Sequence, residues 1–353
     1  MTVKNIKVTE FNLIKELNNK NNKEVQNLLK FISKEDALNI MPKKSKMTVS
    51  FTLENTHVSL ANGIRRCLVD EIETLSFDFD ETKSLDTDDK YLLCDIVKKQ
   101  IELIPINQEY DYSDVSISLS KKNDKETIID VTTNDIIIKK NNDIIDTATI
   151  INNIVLFNLR PGKYINIKNI FISKGTALQN AGKYSLLSNV TYKILDVQPL
   201  KEDVVNISGK SSMVSNPRKF YISYTTHRNI DHPLNVMVKC CNTLILKLEA
   251  ILNDMKNISN SDKVYQSSLI TLTTESNVRK ISFLNEYWTI INLISQYVYL
   301  EANNIKFISA SLIHPEKEIG VINIVHNEFC SVIKNSIKNI ITDLNKIKKE
   351  FVK

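Results

Sequence analysis

Met47, Val49, Phe51 and Leu53 alternate with Thr48, Ser50 and Thr52. This period of two predicts a strand with one buried and one wet face. Asn55 and Thr56 then turn the chain. Leu60, Ile64, Leu68 and Ile72 come next at helical intervals, predicting a helix over about residues 59–73 with Ser59 as its N-cap. Upstream, Val25, Leu28, Leu29, Ile32 and Leu38 also recur at helical intervals and Pro42 closes the pattern. Residues 1–45 therefore read as an N-terminal helical extension, joined to the strand at 47–53 by a short basic link with Lys43, Lys44 and Lys46.

Residues 77–90 are acidic, with Asp78, Asp80, Glu81, Asp86, Asp88 and Asp89. A second helix is expected over about 91–103, ending before Pro105. From there to about residue 212 the pattern is mostly strand. Val115, Ile117 and Leu119 alternate, as do Ile165 and Ile167. Ile170 and Ile172 resume after a shift of one residue, as a bulge produces. Leu159-Arg160-Pro161-Gly162 reads as a turn.

A strand at 220–224 precedes a long helix at 233–255, whose apolar positions Leu234, Met237, Cys241, Leu244, Leu248, Ile251 and Met255 alternate three and four apart. After a polar link at 257–263 the order repeats. Strands are expected at 269–273 and 279–284, a helix at 288–300 and a strand at 318–325. The last helix carries Ile333, Ile337, Ile340, Leu344, Ile347 and Phe351 at the same spacing. At about 25 cal/mol per Å² of apolar surface, mutual burial of two such stripes is strongly favoured. The predicted class is α+β, with two similar units packed through their helices as a pseudo-dimer within one chain. The first unit is discontinuous (46–76 plus 213–257), a β-rich domain at 77–212 is inserted in it, and 258–353 forms the second.

Composition changes this picture little. Of 353 residues, 42% are hydrophobic and 25% charged, and the net charge of +5 is spread along the chain rather than gathered in a stripe. Tight direct binding of nucleic acid is not indicated. Cys67, Cys94, Cys240, Cys241 and Cys330 include no C-x-x-C pair. They read as free thiols in a reducing compartment, with no zinc or iron–sulfur site and no cofactor. No apolar run approaches 18 residues and the N-terminus lacks an apolar signal core, so no membrane association is expected. Asp78-Phe79-Asp80 has the oxygen ligands magnesium takes, but no glycine lies nearby to shape a rigid loop, and a solvated acidic loop is the plainer reading. Gly209-Lys210-Ser211 lacks the upstream glycine of a phosphate loop, since position 204 is Val204. The lysines at 346–353 fit the wet face of a helix.

Phe51-Thr52-Leu53-Glu54-Asn55-Thr56, Ser59-Leu60-Ala61-Asn62-Gly63-Ile64-Arg65-Arg66 and Asp70-Glu71-Ile72-Glu73-Thr74-Leu75 together resemble the first dimerisation helix of the alpha-like RNA polymerase subunits. That family includes the bacterial alpha subunit, the archaeal D subunit and the third-largest eukaryotic subunit. Gly63 stands where Ala is usual and Glu73 where Pro is usual. Leu103-Ile104-Pro105-Ile106, Leu159-Arg160-Pro161-Gly162-Lys163, Lys174-Gly175, and Asn180-Ala181-Gly182-Lys183-Tyr184-Ser185 with Val190-Thr191-Tyr192 resemble later stretches of the same family. Asn180 replaces its histidine and Gly182 is an extra residue. Asn285-Glu286-Tyr287-Trp288-Thr289-Ile290-Ile291-Asn292-Leu293 and His314-Pro315-Glu316 resemble the small partner, the archaeal L or eleventh-named eukaryotic subunit.

The resemblance implies a fused form, as in large DNA viruses that carry their own polymerase. It further implies a non-catalytic assembly subunit of a DNA-directed RNA polymerase. Its partners would be the largest and second-largest subunits and two small zinc-binding subunits, with DNA and RNA reached only through the complex. Asn62, Arg65, Arg66, Glu71, Pro105 and Lys183 would contact the large subunits. Leu234, Met237, Cys241, Leu244 and Leu248 would pair with Ile333, Ile337, Ile340, Leu344 and Ile347. A viral source implies a cytoplasmic factory and packaging in the virion, with the nucleus as the alternative. Two other classes compete: a metal-dependent nucleotidyl or phosphoryl transferase using Asp78 and Asp80, and a free-standing nucleic-acid-binding protein.

Overall fold

The alternating segment around Phe51 lies at the centre of an antiparallel sheet, and it is the pattern's own apolar face that the sheet buries. The structure, a computed structural model, describes residues 1–10, 46–140, 143–144, 153–196, 217–227, 232–275, 277–301, 305–314 and 316–352. In chain order the first half contains β1 (Thr2–Glu10), β2 (Lys46–Glu54), α1 (Val58–Arg66), β3 (Thr74–Asp78), β4 (Leu85–Thr87), α2 (Cys94–Glu102), β5 (Val115–Lys122), β6 (Ile129–Thr132), β7 (Ile136–Lys140), β8 (Asp143–Ile144), β9 (Val155–Leu159), β10 (Tyr164–Gly175), β11 (Ser188–Ile194) and β12 (Lys219–His227). The second half contains α3 (Pro233–Met255), β13 (Tyr265–Gln266), β14 (Ile270–Glu275), β15 (Val278–Leu284), α4 (Trp288–Glu301), β16 (Phe307–Leu312), β17 (Ile319–Val325) and α5 (Phe329–Phe351).

The first sheet has the order β1-β2-β12-β11. Val49, Phe51 and Leu53 sit opposite Tyr224, Ile222 and Phe220, and all six are buried. β1 corrects the helical reading for the start of the 1–45 extension. Residues 2–10 form an edge strand antiparallel to β2, with a register break between Lys4 and Lys7 and Asn5 at φ 55°. That break sets the two core-facing residues Val3 and Ile6 three apart instead of two and hides the alternation from inspection. Val25, Leu28, Leu29, Ile32 and Leu38 lie outside the described residues.

α1 begins at Val58 with His57 as an extended N-cap that makes no side-chain capping bond. Ser59, expected as the cap, lies inside the first turn, and its hydroxyl is buried without a hydrogen-bond partner. Instead the His57 ring packs edge-on to Tyr297 of α4, centroids 5.1 Å apart. α1 then widens into a π turn at Cys67–Glu71. The extra residue per turn shifts the phase of the helix, and Cys67, Leu68 and Glu71 are all buried.

A second sheet, ordered β3-β10-β5-β7-β8 with β4 also on β10, covers its own core. Phe77, Phe79, Val97, Ile101, Leu119, Ile165 and Ile167 belong to that core. The expected bulge is present: β10 changes register between Ile167 and Ile170, and exposed Asn169 takes φ 55°. The boundary expected at residue 212 does not follow the pairing, because β11 is bonded to β12 and so belongs to the first sheet. The acidic run is not one solvated loop. Asp80 caps a single turn at Glu81–Ser84, the Asp88 carboxylate accepts from the Tyr164 amide at 2.9 Å, and buried Asp89 accepts from Arg160 Nε at 3.1 Å. These carboxylates anchor the Arg160-Pro161-Gly162 turn, where Gly162 has φ 70°.

The third sheet is antiparallel, β13-β14-β15-β17-β16. The short β13 and the edge strand β16 were not visible in the pattern. α3 packs along α5, α1 along α4, and the two helix pairs share one continuous core with the first and third sheets. Met237, Cys241, Leu244, Leu248, Ile333, Ile337, Ile340, Leu344 and Ile347 are all fully buried there. Leu234, near the start of α3, is half-buried against the same core.

Candidate subunit-docking face

α1 carries Asn62, Arg65 and Arg66, all half-exposed. Arg65 Nε donates to Asn62 Oδ1 at 3.0 Å, one turn back. That bond holds the guanidinium along the helix and leaves its other nitrogens available for a forked contact. Arg66 differs, because its Nε donates to Thr289 Oγ1 at 3.3 Å and ties α1 to the first turn of α4. Next to them Asp70 is half-buried. Burial raises its pKa against the pull of Arg66 and Arg65, while Glu71 adds to the rise.

The other residues expected at the surface fall in different places. Glu71 is buried, 3.0 Å from Lys247 Nζ on α3. The same ammonium lies 3.3 Å from Glu286 Oε2, just before α4. One lysine thus joins a carboxylate of the first unit to one of the second. Burial alone would depress Lys247, but Glu71 and Glu286 carry it above the usual lysine value. Glu286 is pushed up to about 7, chiefly by burial; Lys247 opposes the rise, and Glu71 and Glu318 favour it.

Lys183 is likewise internal. Its side chain is 6% exposed, with Nζ 2.6 Å from Asp78 Oδ2 and 3.2 Å from Glu102 Oε1. It pins the single turn Ala181–Tyr184 against the ends of β3 and α2. Pro105 is half-buried between the buried Ile104 and Ile106. Asn62 and Arg65 are therefore adjacent on one face, while Glu71, Pro105 and Lys183 are not part of it.

Asp78 is committed to Lys183, and Lys98 Nζ stands 3.8 Å from its other oxygen. Asp80 is occupied by the backbone and hydroxyl of Thr82. Among the described residues no group of three His, Cys, Asp or Glu side chains could hold a metal. No described helix is long and apolar enough to cross a membrane.

Sequence reasoning missed Lys247. Its signal was a lone cation between Leu244 and Leu248 in an otherwise apolar seam. Glu286 lies in the stretch that resembles the small partner, but nothing in its spacing from Glu71 showed that the two share an ammonium.

Paired helices backed by antiparallel sheets, with a polar edge on α1, define a dimerisation-type α+β protein. The family model of the RNA polymerase Rpb3/Rpb11 dimerisation domain matches residues 50–248, more than half of the chain and the whole course from β2 into α3. The chain belongs to this family, and it is an assembly subunit of RNA polymerase of the alpha-like type. The match ends within α3, so the second unit lies outside it. A comparison with curated proteins found no match.

Proposed function

We propose that this chain is a fused platform, two alpha-like units clasped as a pseudo-dimer, that brings the two largest polymerase subunits together and carries no catalytic residue or cofactor of its own. The like-with-like helix pairing, α1 on α4 and α3 on α5, supports the reading most directly. Each unit supplies a sheet and two helices, and each pair buries the apolar stripe of one unit against the other. A stripe left in water by a separate partner is thereby satisfied within one molecule.

The second-largest subunit docks on the α1 edge through Asn62 and Arg65. A guanidinium held in place by its own helix loses less freedom on forking to a carboxylate or carbonyl than a free one does. The β3–β10 sheet with its separate core extends the platform sideways. Small zinc-binding subunits are further neighbours, nucleic acid is reached through the complex, and transcription in a viral factory with packaging of the enzyme suits a fused form.

The experiment is co-expression with the two large subunits. Wild type is expected to co-purify both. Asn62→Ala with Arg65→Glu is expected to lose the second-largest subunit while its own melting temperature stays within a few degrees. Normal recovery of the full complex by that variant would refute the docking assignment.

A further inference from the structure

A groove of about 310 Å³ opens beside the Lys247 cluster, between α3 and the strands of the second unit. Leu246 and Ala250 of α3, Leu269 and Leu284 form its aliphatic walls, and Lys247 with Glu286 closes its polar end. Leu246 is 65% exposed, although it sits on the helix that carries the longest buried seam. The volume is at the lower end of the roughly 300–1,000 Å³ of small-molecule sites. It suits one long side chain better than a cofactor.

The charge at the polar end is unbalanced. Lys247 is the single ammonium for Glu71 and Glu286. Glu318 acts on Glu286 from across the start of β17 and accepts from the Tyr287 hydroxyl at 2.9 Å. Two carboxylates therefore share one cation, and the exposed Glu318 adds negative charge beside Glu286. An acidic or phosphate-bearing ligand would be repelled here. A purely apolar side chain would strip water from the carboxylates and give them nothing in return. A side chain with an aliphatic stem and a cationic head satisfies both the walls and the end.

We propose that this groove docks a segment of another polymerase subunit, which lays one Arg or Lys along Leu246, Ala250 and Leu284 with its charged head on Glu286. The proposal rests on the assembly reading above, but it concerns a different surface from the α1 edge. The charge complementarity names the occupant: a protein segment with a basic residue among aliphatic ones, and not nucleic acid.

The test places the photo-crosslinker p-benzoylphenylalanine at position 246, or as a control at position 58, exposed on α1 one turn before Asn62, in the full chain co-expressed with the large subunits. After illumination, the position-246 product is expected to be a peptide of another subunit with an Arg or Lys among aliphatic residues. Glu286→Gln, which keeps the size of the side chain, is expected to lower that yield about tenfold. The groove proposal is overturned if position 58 cross-links to a large subunit and position 246 does not. It is equally overturned by a product that is nucleic acid or a peptide without a basic residue, or by a yield that Glu286→Gln leaves unchanged. If the large subunits do not co-purify and neither position cross-links, the assembly reading fails and the groove proposal falls with it.

Discussion

Lys247 on α3 stands 3.3 Å from Glu286, which belongs to the other unit, and this contact crosses the joint between the two halves of the molecule. Glu286 is pushed up to about 7 in the folded chain from an ordinary value of 4.5. Between those pH values the folded chain holds a proton that the unfolded chain releases. The stability that Glu286 contributes is therefore fully present below about pH 4.5 and declines as pH rises through 7. Glu286→Gln cannot ionise and escapes that decline. In urea unfolding followed by circular dichroism, the variant is expected to gain on wild type between pH 5 and pH 8, by up to about 3 kcal/mol. An unchanged difference across that range would mean that Glu286 is ionised throughout.

Two glycines in the paired helices and sheets meet opposite surroundings. A Cβ built on Gly63 of α1 would touch only Leu293, at 3.9 Å, which is ordinary contact. Glycine also costs a helix interior about 1 kcal/mol relative to alanine. Gly63→Ala is therefore expected to stabilise the chain by roughly 0.5–1 kcal/mol. A Cβ on Gly320 of β17 would lie 2.5 Å from Ile291 Cγ2 and 3.2 Å from the Glu286 carbonyl oxygen. Gly320→Ala must push α4 off the third sheet, at a cost of about 1–3 kcal/mol. Thermal unfolding of the two variants should show melting temperatures moving in opposite directions; movement in the same direction would contradict the packing of α4 on β17.

Much of this architecture was legible because its elements repeat their apolar residues without interruption. β2, α3 and α5 each hold one period from end to end, and one face is buried throughout. Elements that change phase were harder to read. β1 breaks register between Lys4 and Lys7, and the π turn at Cys67–Glu71 adds a residue to the helical period. β16 shows only partial burial along its length, so its pattern is weak. The docking face was readable in part for a related reason. Asn62 and Arg65 are one turn apart on one helix, and local spacing brings them together. Glu71 and Lys183 find their partners 176 and 105 residues away, at Lys247 and Asp78, and only the folded chain reveals those pairings. The acidic run misled in the same way, since Asp89 is buried by Arg160 from a distant turn.

The seam between α3 and α5 makes the strongest demand on stability. Leu244 and Ile340 are fully buried within it, so truncating either removes apolar contact and leaves a cavity that two rigid helices cannot easily fill. Leu244→Ala and Ile340→Ala are each expected to cost about 2–5 kcal/mol. Leu246, two residues along α3 and 65% exposed, provides the control; Leu246→Ala should fall within about 0.5 kcal/mol of wild type. If the two helices hold one another, the double variant Leu244→Ala with Ile340→Ala should depart from additivity by about 0.5–3 kcal/mol. Urea unfolding of wild type and the four variants measures the difference directly. Additivity within error, or a loss at Leu246 equal to that at Leu244, would mean that the buried stripes of α3 and α5 do not depend on each other.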